Sequence, residues 1–467
     1  MSRIRTLGGL FGVACLLASS PVRADLAAAR AAFAKQDFAR AFELYLEIAR
    51  LGRIEGQENV AAMYVGGEGV KRNNVLGYAW AAIATENGGG PAMKSIVDQI
   101  QPHLTDGARA GVAEVQAQYG KAALEQRLYP VPHTAGTSTL VPETVRESTP
   151  CTFQSAANPD NYYPPAAVQA RVSGNVFVDY TVAPDGRARN PRIWYALPAL
   201  VFDEAARMVI FNSTFQPRTE NGVAVPCQMR ILVKFTLSRG GSNLEEGFGN
   251  SKQLAEAGDP NAQLVYGLLL AGRPELNKER ISAVPWFLKA AQAGIPPAQF
   301  LVGSFTLSGA GAVRDEAKAV AWLELAAAAG QADAQVTLAN YLLQDERRDT
   351  QVTRAVELLG RAADSGSRDG KFYLAALLAA GPDAARRDPA RALELMGQVS
   401  DSVEGDPTSF EIRAAAHAML GDFDKAQELQ TRAIRNATRL GWNPSLQRAR
   451  LADYKRKVAW SGDLFAF

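Results

Sequence analysis

Histidine and cysteine are scarce in this chain, with three of each in 467 residues. His103, His133 and His417 stand far from one another and from any cysteine, so no pair has the spacing of a metal-binding motif. Gly-rich phosphate loops, Gly-x-Ser-x-Gly elbows and His-Glu-x-x-His motifs are also missing, which removes the usual sequence marks of a catalytic site. Neither sign of charge dominates. Fifty Lys and Arg face 48 Asp and Glu, so there is no basic excess to drive counterion release from nucleic acid. Charged runs such as Arg386-Arg387-Asp388 and Asp345-Glu346-Arg347-Arg348-Asp349 read as solvated turns. The sequence therefore suggests no enzyme, cofactor, metal, nucleic acid or small-molecule substrate. It points instead to the binding of other proteins.

Long apolar runs are missing too, apart from one near the N-terminus. Arg3 and Arg5 precede an apolar stretch from Leu7 to Ala18, and Val22-Arg23-Ala24 closes it. That three-part layout is a signal peptide, residues 1–24, with the cut expected between Ala24 and Asp25. The run is about a dozen residues, whereas a membrane span needs roughly 20. An uncleaved anchor is the alternative. Cys15 lies in the discarded segment and lacks the leucine that a lipoprotein signal carries before its cysteine. Export would leave Cys151 and Cys227 as the remaining thiols in an oxidising compartment, where a disulfide between them is expected. Two buried free thiols are the other possibility. The bridge would contribute up to about 4 kcal/mol on the chain-entropy account.

A chain of this length exceeds one hydrophobic core, so several domains are expected. Gly258, Gly294, Gly330 and Gly366 stand 36 residues apart, each closing an Ala-rich helix. Ala262, Ala298, Ala334 and Gly370 keep the same step, as do Trp286 and Trp322. Paired helices at a constant period in the mid-thirties make a solenoid of tetratricopeptide type, in which each unit buries its apolar face against its neighbours. Gly303, Ala291, Ala327 and Ala339 would let helices approach closely. Trp286, Trp322, Phe287 and Leu323 would fill the gaps. An exposed peptide-gripping role for the two tryptophans is the competing reading.

The stretch from Ala298 to Gly330, with Gly303, Gly309, Gly311, Val313, Asp315, Ala319, Trp322, Ala326 and Ala327, resembles the Sel-one-like repeat. From Asp349 to Gly366 the register persists without the glycine turn or the tryptophan. A second block precedes residue 126: Ala41-Phe42-Glu43-Leu44-Tyr45 to Gly52 is echoed by Gly77-Tyr78-Ala79-Trp80 to Gly88, with Gly67, Gly69 and Val70 repeating the turn. Residues 91–125 read as two capping helices. Phe410 to Leu440, with Gly421-Asp422-Phe423-Asp424-Lys425-Ala426, is similar to an ordinary tetratricopeptide hairpin and would cap the second block.

Between the blocks the periodicity changes from helical to alternating. Val176, Val178 and Tyr180 form a strand, Pro184-Asp185-Gly186 a turn, and Ile193-Trp194-Tyr195 a second strand. Phe202 to Phe211 has helical spacing, and Gln228 to Leu237 alternates again. The order is β-β-α-β. Tyr163-Pro164, Gly174-x-Val176, Asp185-Gly186, Phe202-Asp203-x-Ala205-Ala206, Phe215-x-Pro217, Asn221-Gly222 and Pro226 occur in the order and spacing of the C-terminal domain of TonB, and the module resembles that domain. The resemblance implies that an extended receptor segment adds as a strand to an exposed sheet edge. The candidate strand is Gln228-Met229-Arg230-Ile231-Leu232-Val233-Lys234-Phe235, unless the flanking repeats or self-pairing shield that edge.

The fold expected is thus multidomain, an α-solenoid of helix-hairpin repeats in two blocks plus a small α/β domain. The divisions are a signal peptide 1–24, repeats with a helical cap 25–127, a linker 128–150, the TonB-like domain 151–238, a linker 239–251, repeats 252–400, and tetratricopeptide-like helices with a tail 401–467. The function expected is a periplasmic adaptor in a Gram-negative-type envelope. It would bind proteins, including outer-membrane receptor segments, through its repeats and by strand addition. The alternative is an energy-transducer relative held at the inner membrane. The chain lacks that family's membrane-spanning start and long proline-rich span, and its module is internal.

Overall fold

The structure, a computed structural model, describes residues 26–133, 151–170, 172–197, 201–236, 244–272, 277, 279–344, 348–399 and 406–465. The expected signal peptide and its cut between Ala24 and Asp25 lie outside these residues. The chain divides into two compact units, Met1–Lys121 and Ala122–Phe467.

In the first unit, α1 (Leu26–Ala34), α2 (Phe38–Arg50), α3 (Ile54–Gly66), α4 (Asn74–Glu86), α5 (Pro91–Ile100) and α6 (Asp106–Tyr119) form successive hairpins. Side-chain caps set the starts of α2 and α4. Asp37 accepts from the Arg40 amide at 3.3 Å, and Asn73 accepts from the Val75 and Leu76 amides at 3.1 Å. Each bond satisfies an amide that has no partner within its own helix. Phe42, Leu44, Tyr45 and Ile48 are buried on α2. Trp80 of α4 stacks on Tyr119 of α6 with ring centroids 5.4 Å apart, so α6 covers the end of the stack as a cap should. The two capping helices expected over 91–125 are α5 and α6. A third helix, α7 (Lys121–Arg127), crosses into the second unit.

The second unit begins with the α/β module: β1 (Thr152–Ser155), α8 (Pro165–Gln169), β2 (Gly174–Val182), β3 (Ala188–Leu197), α9 (Asp203–Phe211), β4 (Thr214–Gln216), β5 (Arg218–Glu220), β6 (Val223–Val225) and β7 (Cys227–Phe235). Its main sheet is antiparallel in the order β3-β2-β7, which is the β-β-α-β arrangement read from the sequence. Two small ribbons, β1-β4 and β5-β6, were not legible there. Alternation along β2 sends Val176, Val178, Tyr180 and Val182 into a core with Phe202, Ala206 and Ile210 of the α9 region. Tyr163, Phe202 and Phe235 meet at its end: the Phe202 and Phe235 rings stack 4.7 Å apart, and Tyr163 stands edge-on to both.

The second repeat block follows as α10 (Leu244–Glu256), α11 (Pro260–Gly272), α12 (Val284–Gln292), α13 (Pro296–Ser308), α14 (Glu316–Ala328), α15 (Ala332–Leu342), α16 (Arg348–Asp364), α17 (Arg368–Ala380), α18 (Pro389–Gln398), α19 (Pro407–Met419), α20 (Phe423–Arg439) and α21 (Ser445–Lys455). Its 36-residue step has a structural cause at each level. Gly330 ends α14 at φ +85°, and Gly258, Gly294 and Gly366 adopt the same left-handed conformation. Close packing of α13 on α14 depends on Gly303, where a Cβ would lie 2.8 Å from Leu323 Cγ. The first turn of the next helix is tied back by a glutamine. Gln263, Gln299 and Gln335 are buried and donate to the carbonyls of Ala255, Ala291 and Ala327 at 3.2, 3.3 and 3.0 Å. This glutamine ladder keeps the same period and was open to a sequence reading that tracked only the alanine one place before it.

Two expectations about connecting segments change. Residues 244–251, read as linker, open α10, because Phe248 packs on Tyr266 at 5.3 Å and such packing outweighs a Gly- and Ser-rich composition. At the start of the other linker, residues 128–133 are docked. The Leu128 carbonyl accepts from Trp322 Nε1 at 2.7 Å, the Val131 carbonyl from the Val313 amide at 2.8 Å, and the Gly311 carbonyl from the His133 amide at 3.0 Å. His133 Nε2 also lies 3.1 Å from the Gly309 carbonyl. Trp322 is fully buried as expected, but Trp286 is only half-buried, with Lys289 over its ring at 4.3 Å.

Candidate functional site

The two edges of the main sheet differ in what they can accept. β3 pairs with β2 in a register that breaks twice, between Phe177 and Val178 and between Asp179 and Thr181. It also carries Asn190 at φ +51° and Pro191, which has no amide hydrogen. Bulges and proline are features that blunt a strand edge. β7 has neither: Cys227 to Phe235 pair with Val182 to Gly174 residue for residue without a break. Among the described residues it is a nine-residue edge strand.

The faces of β7 are committed within the molecule. Met229, Ile231, Val233 and Phe235 pack into the α9 core, matching the alternation read from the sequence, and the Tyr180 hydroxyl donates to Met229 Sδ at 3.6 Å. On the other face Gln228 is exposed and donates to Thr181 Oγ1 at 2.8 Å. Arg230 is buried and holds Asp179 through two bonds of 2.6 and 2.7 Å. Leu232 and Lys234 are half-buried. Cys151 and Cys227 form a disulfide, with Cα atoms 6.5 Å apart, that fastens the start of β7 to the residue immediately before β1.

The remaining face of the sheet lies on the repeats. Arg230 reaches past Asp179 to donate to Ser304 Oγ of α13 at 2.7 Å, and its guanidinium lies between the rings of Trp194, 4.7 Å away, and Phe305 of α13, 5.1 Å away. Arg207 of α9 pairs with Asp369 of α17 at 3.2 Å, and Arg368 with Glu204 at 3.6 Å. Arg189 lies 3.6 Å over the ring of Trp442, and burial lowers its pKa to about 10 against the pull of Asp185. Asp333, at the start of α15, is pushed up to about 6 by desolvation, with Arg192 opposing the shift.

Other candidate residues serve the scaffold. His417 Nδ1 lies 3.1 Å from Asp422, which caps α20. In the charged run, Arg386 pairs with Asp383, Arg387 donates to the Gly381 carbonyl, and Asp388 caps α18. Residues 345–347 of the other run lie outside the described residues. Among the described residues no cluster of three or more His, Cys, Asp or Glu is placed to hold a metal, and no helix is long and apolar enough to cross a membrane.

These features define a helical-hairpin repeat protein with an inserted α/β module that presents one regular strand edge. The Sel1 repeat family matches at residues 27–52, 54–89, 260–295, 296–331, 332–367 and 369–398, and the family described as Gram-negative bacterial TonB protein C-terminal matches at 159–237. The chain carries six Sel1 repeats and, between two groups of them, a TonB C-terminal domain. Among solved structures it is similar to a Sel1 repeat protein from Oxalobacter formigenes, at 24% identity over 41% of this chain and 79% of that chain with a TM-score of 0.34. It is also similar to c5321, a protective antigen present in uropathogenic Escherichia coli strains displaying an SLR fold, at 17% identity over 90% of this chain and 80% of that chain with a TM-score of 0.35. Comparison with curated proteins finds no match. The Sel1 repeats indicate a protein–protein interaction scaffold.

Proposed function

We propose that this chain is an exported, non-catalytic adaptor of a Gram-negative-type envelope that receives an extended segment of a partner protein as an added strand on β7, while its repeats hold other proteins. The observation that carries the reading is the contrast between edges. β7 offers nine residues in unbroken register, whereas β3 is interrupted by two register breaks and Pro191. Strand addition draws its affinity from main-chain hydrogen bonds, which need a regular template. The disulfide and the TonB C-terminal match support an envelope location.

The test places a photo-crosslinking amino acid at Gln228, which is exposed at the start of β7, in the full chain in living cells, with the same label at the exposed Ala62 of α3 as comparison. Adducts at Gln228 that map to an extended segment of an envelope protein are expected. Adducts at Ala62 with none at Gln228 would leave the repeats as binders and remove strand addition. Mass spectrometry of the mature chain should give Asp25 as its first residue, and retention of Met1 in a membrane fraction would favour the anchored transducer.

A further inference from the structure

A solenoid of paired helices offers its partners an extended face built from corresponding helices of successive repeats. In the second block the first helices of the hairpins are α11, α13, α15, α17 and α19, and the chain's own module lies on that row. α11 approaches so closely that a Cβ on Gly272 would lie 2.6 Å from Phe177 Cζ of β2. α13 supplies Ser304 and Phe305 to Arg230, and α17 supplies Asp369 to Arg207. Beyond α20, the Asn443 amide donates to Asp185 at 2.8 Å, and Trp442 packs on Phe211 with centroids 6.2 Å apart.

We infer that the α/β module is the resident ligand of the second repeat block, so that the face formed by α11, α13 and α17 is closed to other proteins and the two parts open only together. The inference narrows the adaptor reading to surfaces outside this face and does not depend on strand addition. Three features favour a permanent fit over a passing contact. Arg230 and Arg207 have side chains only 5% exposed, and separation would strip each of a bond it makes across the contact. Removing one partner of such a buried pair is strongly destabilising because the other charge stays desolvated. The missing side chain at Gly272 is shaped to a ring of the module. Finally, the module touches the first hairpin of the block and the loop after the last. Repeats that would otherwise communicate only with their neighbours are thereby joined through one body.

Native-state hydrogen exchange on the oxidised full chain tests this. Amides of β2, α13 and α17 should exchange through openings that agree within about threefold, as expected of one cooperative unit. Arg207→Asp should speed all three sets by a common factor of about a hundred or more, and adding Asp369→Arg should restore part of the protection, because Glu204 and Arg368 keep their charges beside the exchanged pair. Exchange of β2 through an opening that leaves α13 and α17 protected would overturn the inference, as would acceleration confined to the module. If the Arg207→Asp chain does not fold, the comparison on the unaltered chain decides between these outcomes.

Discussion

The indole Nε1 of Trp322 donates a 2.7 Å hydrogen bond to the main-chain carbonyl of Leu128, 194 residues earlier in the chain. The repeat's characteristic aromatic thereby does two jobs: it fills the α13–α14 hairpin and holds the chain where it enters the second unit. Trp322→Phe keeps most of the volume and removes the donor. It should lower stability by about 1–3 kcal/mol, the penalty for leaving a buried carbonyl unsatisfied. Trp286→Phe, at the half-buried equivalent position, should cost less. The shift of the denaturant midpoint measures both.

The disulfide closes a separation of 76 residues between Cys151 and Cys227. Cys151→Ser should destabilise the second unit by up to about 4 kcal/mol and leave the first unit's transition where it was. Calorimetry with and without reductant checks this, because the reduced unaltered chain should melt with the variant.

Two glycines on adjacent hairpins should respond in opposite directions. Gly303→Ala forces a Cβ to within 2.8 Å of Leu323 Cγ and 3.0 Å of the Ala319 carbonyl, and such overpacking costs about 1–3 kcal/mol. Gly360, inside α16, has nothing within 4 Å of an added Cβ. Gly360→Ala should stabilise by about 0.4–1 kcal/mol through the unfolded chain's lost freedom. Thermal midpoints of the two variants should move apart.

Asp333 carries a pH dependence of a definite sign. Desolvation raises its folded pKa to about 6 from an ordinary 3.8; Asp369 and Asp203 add to the shift, and Arg192 and the bond from Gln331 oppose it. The folded state therefore binds this proton more tightly than the unfolded state does, and its ionisation weakens the fold as pH rises from about 4 through about 6. Between those values the contribution should favour the fold increasingly as pH falls. Asp333→Asn should flatten that segment of the stability profile and stabilise the protein at neutral pH, as denaturant titrations at several pH values would show.

Much of the architecture was legible in one dimension because it rests on local and periodic physics. Gly330 must end a helix in a left-handed conformation, and its 36-residue counterparts repeat the requirement. Val176, Val178 and Tyr180 alternate because a strand has a period of two. Asp185-Gly186 turns the chain for reasons contained in those two residues. The β7 residues were identifiable as a strand with two distinct faces on the same grounds.

What the sequence could not contain was the surroundings of each element. That β7 is the regular edge follows from the strand order and from the bulges of β3, which exist only once β2 selects its neighbours. That Arg230 meets Ser304, Arg207 meets Asp369 and Trp322 meets Leu128 depends on pairings 74, 162 and 194 residues apart. No period or motif encodes them, because such contacts arise from the shapes that folded elements present to one another. Composition alone made residues 128–133 look like a tether, and only the packed second unit turned them into a docked segment.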